Sequence, residues 1–448
     1  MGADTRRGVG KLGCMRIAVI GAGVSGMVAA RLLALRHEVT LLEAEPRPGG
    51  HAHTHDVLVD GVPVTVDTGF MVFNRRTYPN FCRLLEILGV ESRASDMSFS
   101  FRCDAELIEY QGGSFSGLFS QWSNLARPAF WRMLSDIVRF NRQATEYAQC
   151  NDDTGETVGE FLHRGRYGRA MRDWYLRPMC AAIWSAPQSH IDRFPARFLL
   201  GFFANHGLLQ LSDRPQWRTV VGGARSYVEA LLAPISEGVC LGAPVTAVRR
   251  SEDCIQVTLG DEYQEYDTVV LACHADQALR LLQDADDREN RLLSAFPYQT
   301  NTAVLHTDPR PMPRSKRTWA SWNYRAHGEA GADGPVTVTY DLTRLQGLRA
   351  PQDVFVTLNP EEPIDESRVL KRMEYAHPCY GAEAIAAQRE HATLNGHRRT
   401  YYCGAYWGYG FHEDGVRSAL AVAECFGLSL DDLRHEPAAQ STTTAAGV

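Results

Sequence analysis

The sequence predicts an α/β chain, α+β overall, in which a Rossmann-like dinucleotide-binding domain is joined to a discontinuous second domain of mixed sheet and helices. Three observations predict this. The apolar, β-branched run Arg16–Ile20 passes directly into Gly21-Ala-Gly23-Val-Ser-Gly26 and the helical pattern Val24–Arg36, with a second strand at Glu38–Leu42. Strand and helix signals alternate again in the middle and near the end of the chain. At 448 residues, the chain is longer than one ordinary domain and long enough for two sizeable cores.

The remaining elements follow in order. Helical signals dominate 77–205, and Thr157/Glu160 and Ser226/Glu229 have the spacing of capping boxes at helix starts. Val245–Val248, Ile255–Leu259 and Thr268–Leu271 read as strands, Ala275–Leu282 as a helix, and Val304–His306 and Val336–Tyr340 as strands. The dinucleotide domain is expected to comprise 15–75, 215–275 and 395–435. The second, substrate domain would comprise 76–214, mostly helical, and 276–394. Residues 1–14 and 436–448 read as flexible tails, with Met15 a natural translation start just ahead of the first strand.

Composition narrows the function classes. The net charge of −7 argues against nucleic acid as the main partner. The eleven cysteines form no CxxC pair and, without an apolar leader segment, read as reduced thiols of a cytoplasmic protein; no metal site is expected. No apolar run approaches the roughly 20 residues of a membrane span. Lysine occurs only at positions 11, 316 and 371, which limits the lysine chemistry open to the chain.

The glycine-rich turn carries chemistry because of where it lies. Gly21 permits the tight turn, Gly23 lets backbone approach a pyrophosphate, and Gly26 lets helix pack on strand. Val24 and Ser25 open the helix whose free N–H groups and dipole favour phosphates. Glu43, followed by Ala44, ends the second strand, where a carboxylate accepts hydrogen bonds from ribose hydroxyls and repels a 2′-phosphate.

The segment Arg47-Pro-Gly49-Gly50-His51 continues from that acid, and here the chain resembles the flavin-containing amine oxidoreductase superfamily of monoamine and polyamine oxidases, phytoene desaturases and protoporphyrinogen oxidase. The resemblance implies FAD, expected to be bound non-covalently because no cysteine or histidine is identified at a family attachment point. Arg47, Gly49 and Gly50 would turn the chain over the pyrophosphate, with His51 where the family has arginine. Asp60 to Gly69 resembles the following hairpin, which would bring Thr68 and Gly69 to the flavin. Val221 to Leu231 resembles the family's Gly-Gly turn, and Val245 would meet the adenine. Tyr401 to Ala419 resembles the C-terminal flavin signature, with Gly404, Asp414, Gly415 and Val416 near the ribityl chain and ring, although Ala405 replaces the usual carboxylate.

For the chemistry, the family's amine oxidases use an aromatic cage and a lysine-held water at flavin N5. Here His412 falls near the cage position, and the run Tyr298–His306 has no lysine. His412 is thus a candidate base or substrate-orienting residue, or a histidine that only packs. Tyr406 and Trp407 belong to a Gly-interleaved aromatic run that suits either a core or close approach to a ring; Asn323 and His377 are further polar candidates. The runs Trp319–Tyr324, Arg344–Leu348, Thr357–Pro360 and Cys403–Ala419 are similar to a bacterial subgroup found beside cyclopropane-fatty-acid-synthase-like methyltransferases. That subgroup includes a desaturase of methyl-branched fatty-acyl chains in furan-fatty-acid biosynthesis. The resemblance implies an apolar fatty-acyl substrate and a partner enzyme of lipid modification; a location at the inner face of the membrane is expected on a separate ground, the composition of two aromatic segments. Phe115–Leu134 and Phe198–Phe203 have the composition of interfacial helices, or of a lid over the pocket. Three rivals remain: an amine or carotenoid oxidoreductase, a non-redox flavin mutase acting on a nucleotide sugar, and a non-catalytic flavoprotein scaffold.

Overall fold

The structure, a computed structural model, describes residues 13–150, 155–184, 188–210, 214–331 and 336–435. The expected tails at 1–14 and 436–448 lie almost wholly outside them.

Arg16–Ile20 (β1) and Glu38–Leu42 (β2) form parallel neighbours, with Val24–Leu33 (α1) between them in sequence. Thr268–Leu271 pairs with the other edge of β1, Thr400–Tyr402 lies beyond it, and Val239–Cys240 flanks β2, all parallel. This five-stranded sheet therefore draws on three separate stretches of chain. Strands covered on both faces read as apolar runs, and Ile17, Ala18 and Val19 are wholly buried. All ten residues of α1 are buried, which needs close helix–strand approach. Gly26 provides it: a Cβ there would be driven into the Gly21 carbonyl oxygen.

The second layer is a seven-stranded sheet in the order 369–378, 298–306, 355–358, 337–341, 322–326, 99–103, 108–111. The strands at 99–111 correct the expectation that 77–205 is essentially helical. Phe99, Phe101 and Cys103 alternate with Ser100 and Arg102, a two-residue period hidden between longer helical stretches.

Local signals fared unevenly. The Thr157/Glu160 capping box forms as expected. Ser226 does not cap: it lies inside the helix Arg225–Leu232 and donates to the Val221 carbonyl. The capping oxygens come from the hairpin instead, where the Asp67 carboxylate accepts from Ala224 N at 3.0 Å and Thr54 Oγ1 from Arg225 N at 2.9 Å. Phe198–Phe203 is part of the buried helix Ala196–Asn205 and belongs to the core, which removes it as an interfacial segment.

Candidate active site

A cavity of about 700 Å³ begins at the carboxyl ends of β1 and β2 and runs between the two sheets. At its first end the wall is largely main chain. Gly21 has φ +104° and donates its N–H to the Leu42 carbonyl at 2.8 Å, turning the chain sharply into α1. Gly23 is the N-cap of α1 with no side-chain cap, so the first helical N–H groups are left to whatever fills the cavity. A Cβ built on Gly23 meets nothing within 4 Å. Packing therefore does not require glycine here; a ligand's close approach would. Gly50 lies across from it, where an added Cβ would come 3.2 Å from the Gly23 Cα. Glu43 ends β2 on the same wall, accepting from Ala22 N at 2.6 Å and Glu45 N at 3.0 Å, which fixes its carboxylate at the strand end.

The middle of the cavity is a neutral polar collar. His51 lines it with Nε2 buried and without a hydrogen-bond partner among the described residues, its ring centroid 5.2 Å from Tyr375 and 5.3 Å from His377. Burial, then neighbouring imidazoles, hold His51 well below the ordinary histidine range; burial takes His377 down to about 4. Thr68 Oγ1 is hydrogen-bonded to the Tyr375 hydroxyl at 2.7 Å and to His55 Nε2 at 3.0 Å. Burial pushes the Tyr375 phenol up to about 12, so it stays protonated at neutral pH. The Tyr380 and Tyr406 hydroxyls and the Trp322 indole N–H, on the same cavity wall, are also buried without hydrogen-bond partners among the described residues. Orphaned polar atoms around an uncapped helix N-terminus and an open glycine fit a dinucleotide with a polar-edged ring system. The residues that would hold it are Gly23, Val24, Ser25, Glu43, His51 and Gly404.

Beyond the collar the wall turns apolar: Met71, Met97, Trp184, Phe202, Trp217 and Leu358 come from six separate stretches of chain. The cavity's only Asp, Glu, Lys or Arg side chains among the described residues are Glu43, Glu45 and Arg280, all at the dinucleotide end. Neither Lys316 nor Lys371 lines it.

Of the residues expected from sequence, Gly21, Gly23, Val24, Ser25, Glu43, Ala44, Gly49, Gly50, His51, Thr68, Gly69, Val245, Gly404, Tyr406 and His412 all line this one cavity. Others stand behind its wall. Gly26 is the helix–strand contact described above. Arg47 donates to the Gly50 carbonyl at 2.9 Å and braces the turn. Asp414 accepts from Tyr409 N at 3.0 Å and Phe411 N at 3.1 Å, capping its own helix, His412–Cys425. Gly415 faces Val24 and Ser25, so two helix N-termini converge there, and Val416 is fully buried.

The expected catalytic set is corrected at two positions. Asn323 is turned into the seven-stranded sheet, its oxygen accepting from Ser100 Oγ and Ala320 N and its amide donating to the Ala320 and Thr339 carbonyls. Trp407 stacks on His391 at 4.3 Å, outside the cavity. His412 reaches the wall, but its ring stacks on Phe70 at 3.5 Å and Nε2 is hydrogen-bonded to the buried Tyr227 hydroxyl at 2.8 Å. Burial holds it down to about 3, which makes it a weak base at neutral pH. Tyr298, Tyr375 and Tyr380 join the collar without any motif to announce them. Phe70, Met71, Tyr409 and Phe411 were within reach of sequence, because each adjoins a recognised glycine block.

A family model described as flavin-containing amine oxidoreductase matches residues 24–347. The L-amino acid dehydrogenase of Synechocystis sp. is 22% identical over 314 residues, covering 66% of this chain and 64% of that protein. The chain thus matches just under two thirds of that relative's length. A CLA-producing fatty acid isomerase from P. acnes superposes with a TM-score of 0.65 at 16% identity, covering 90% of this chain and 97% of that one. Cyclohexylamine oxidase from Brevibacterium oxydans does so with 0.66 at 16% identity, covering 92% and 100%. The two structures share the fold with this chain.

Proposed function

Because the chain belongs to the flavin-containing amine oxidoreductase family, we propose that it is an oxidoreductase that binds FAD non-covalently and removes hydrogen from an uncharged, elongated substrate, a methyl-branched fatty-acyl chain, to leave a carbon–carbon double bond. One observation carries the reading: among the described residues, no Asp, Glu, Lys or Arg side chain lines the cavity beyond the collar. An ammonium substrate there would lose its hydration without gaining a counter-ion, at a cost of several kcal/mol, whereas an acyl chain gains by burial.

Bound in the crevice, the flavin supplies the two-electron acceptor that a saturated C–H bond needs. The chain's own residues do the rest. The α1 N-terminus and Glu43 would position the dinucleotide, and the apolar wall excludes water and aligns the chain. The wall's imidazoles are held neutral and its phenols protonated, so they donate and accept hydrogen bonds without adding charge. A fatty acid isomerase among the structural neighbours supports, by fold alone, the compatibility of this architecture with acyl chains.

Anaerobic flavin bleaching tests the reading, with methyl-branched acyl lipids, carotenoids and amines as the panel. Bleaching by an acyl lipid, with a product lighter by two hydrogens, is expected. Bleaching by amines alone overturns the substrate class, and flavin that no member reduces favours a scaffold. Acid precipitation should release FAD into the supernatant; a yellow pellet would mean a covalent bond.

A further inference from the structure

One surface, made by residues that do not line the cavity, is unlike the rest of the molecule. Among the described residues, eleven large hydrophobic side chains are exposed, and six of them fall within 107–138. Phe115 and Trp122 are 75% and 76% exposed, more than any other large hydrophobic among them. The chain here is a short helix, Phe115–Leu118, a 3₁₀ turn at Trp122–Ala126, and the long helix Pro128–Gln149. That helix is apolar on two sides. Phe130, Met133 and Phe140 face the core, while Trp131 and Val138, seven residues apart, share the outer face with half-buried Leu134 between them. The outer rings are held rather than loose. Phe119 lies 4.7 Å from Phe115 and 5.3 Å from Trp131, and the Trp131 indole donates to the Leu125 carbonyl at 2.9 Å.

A cationic cleft adjoins these aromatics. The helix Phe115–Leu118 packs against the turn Lys316–Thr318. That turn lines a cleft of about 620 Å³ together with Arg102, Arg310, Arg314, Arg368 and Trp319. Five cations thus face one lining carboxylate, Asp353, with Asp104 and Asp308 paired behind them. Lys316 lies over the Trp319 ring at 5.3 Å. Arg127, in the same stretch of chain as Trp122, donates to the carbonyls of Glu106 and Leu107.

We infer that this face docks on an anionic lipid bilayer, with Phe115, Trp122 and Trp131 seated at headgroup depth and the cleft of Lys316 and Arg314 on lipid phosphates. Rigid indoles beside cations suit that interface, since the ring enters the acyl boundary while the cations stay at the phosphates. Local cations are needed because a chain of net charge −7 is otherwise repelled by such a surface. No helix among the described residues is long and apolar enough to cross a membrane, and this attachment requires none.

Vesicle sedimentation tests the inference without any turnover, so it stands apart from the acyl-chain reading. Full-length holoprotein is spun with vesicles of pure phosphatidylcholine, or of about one part phosphatidylglycerol to two parts phosphatidylcholine. Binding to the anionic vesicles should exceed binding to the neutral ones by about tenfold or more. Phe115→Ser with Trp122→Ser should lose about tenfold, and Lys316→Glu should cut the anionic preference several-fold, with flavin content and melting temperature unchanged. Equal sedimentation of variant and wild type, or binding to neither vesicle, overturns the inference. So does a wild-type dimer that the aromatic pair converts to monomer while vesicle binding is absent, because the occupant would then be a second copy.

Discussion

At Gly21, Gly23, Gly49 and Gly50 the cavity wall is main chain, whereas at Met71, Trp184, Phe202, Trp217 and Leu358 it is side chain. The first wall is made by two adjoining glycine turns, within thirty residues of one another; the second is assembled from stretches almost three hundred residues apart. Backbone that must approach a ligand closely leaves few choices of residue, and those choices recur at fixed spacing. An apolar wall accepts many residues at each position, provided volume and hydrophobicity hold. On the proposed reading, the first end would specify its ligand narrowly and the second a class of substrate.

The largest expected effect separates two glycines of the same motif. Gly26→Ala drives a methyl group into the Gly21 carbonyl and should abolish soluble, folded protein. Gly23→Val places its branch in open space, so the apoprotein should melt as wild type does while flavin affinity falls about a hundredfold or more. Thermal melts and flavin titration of both variants check the contrast. Loss of fold in Gly23→Val would mean that the open space has a structural use.

At the other end, Met71→Lys puts an ammonium on the apolar wall. Flavin content should be kept while the anaerobic reduction rate with an acyl lipid drops by roughly 10²-fold. Retained lipid oxidation, or new activity on a carboxylate-bearing substrate alone, would contradict the division of the cavity into two ends.

His412 lies at the junction. His412→Ala removes the hydrogen bond to Tyr227 and the stack on Phe70, and should lower stability by about 1–3 kcal/mol. Reduction per bound flavin should stay within about threefold, because a group held near 3 is a poor base. A hundredfold slower reduction in a stable variant would return His412 to the chemistry.

The smallest effect is spread beyond the cavity as well as along it. Burial holds His53 and His412 down to about 3, and His55, His206, His306 and His377 to about 4, from an ordinary value of 6.5. Below 6.5 the folded state binds fewer protons than the unfolded chain, so stability present above that pH is lost as pH falls toward 4. Asp67 and Asp414, raised by burial from 3.8 to about 6, act in the opposite sense between those values. Six imidazoles outweigh two carboxylates, and the melting temperature should fall by several degrees from pH 7 to pH 5. A melting temperature that rises over that interval would show that the carboxylates dominate.

Sequence alone determined the dinucleotide end. Strand, glycine turn, helix and acid are contiguous, and each residue's reason lies within a few positions of it, so Gly21, Gly23 and Glu43 could be named and their roles assigned. The packing agrees with the separate parts assigned to Gly23, which faces open space, and Gly26, which faces the sheet, but it moved Asp414 and Gly415 from the cavity wall to a helix cap and a helix contact. The tertiary structure decided the rest. Tyr375 becomes a collar residue because the strand 369–378 lies beside 298–306, and Asn323 is diverted into a buried network because the alternation of its strand turns it away from the cavity. The 115–131 aromatics have an interfacial composition in sequence, but their exposure and the cations beside them depend on β-strands, a turn and a helix that meet only in the fold. Motifs survive in sequence where backbone geometry dictates residue type; sites built from side chains at long range depend on the fold that brings them together.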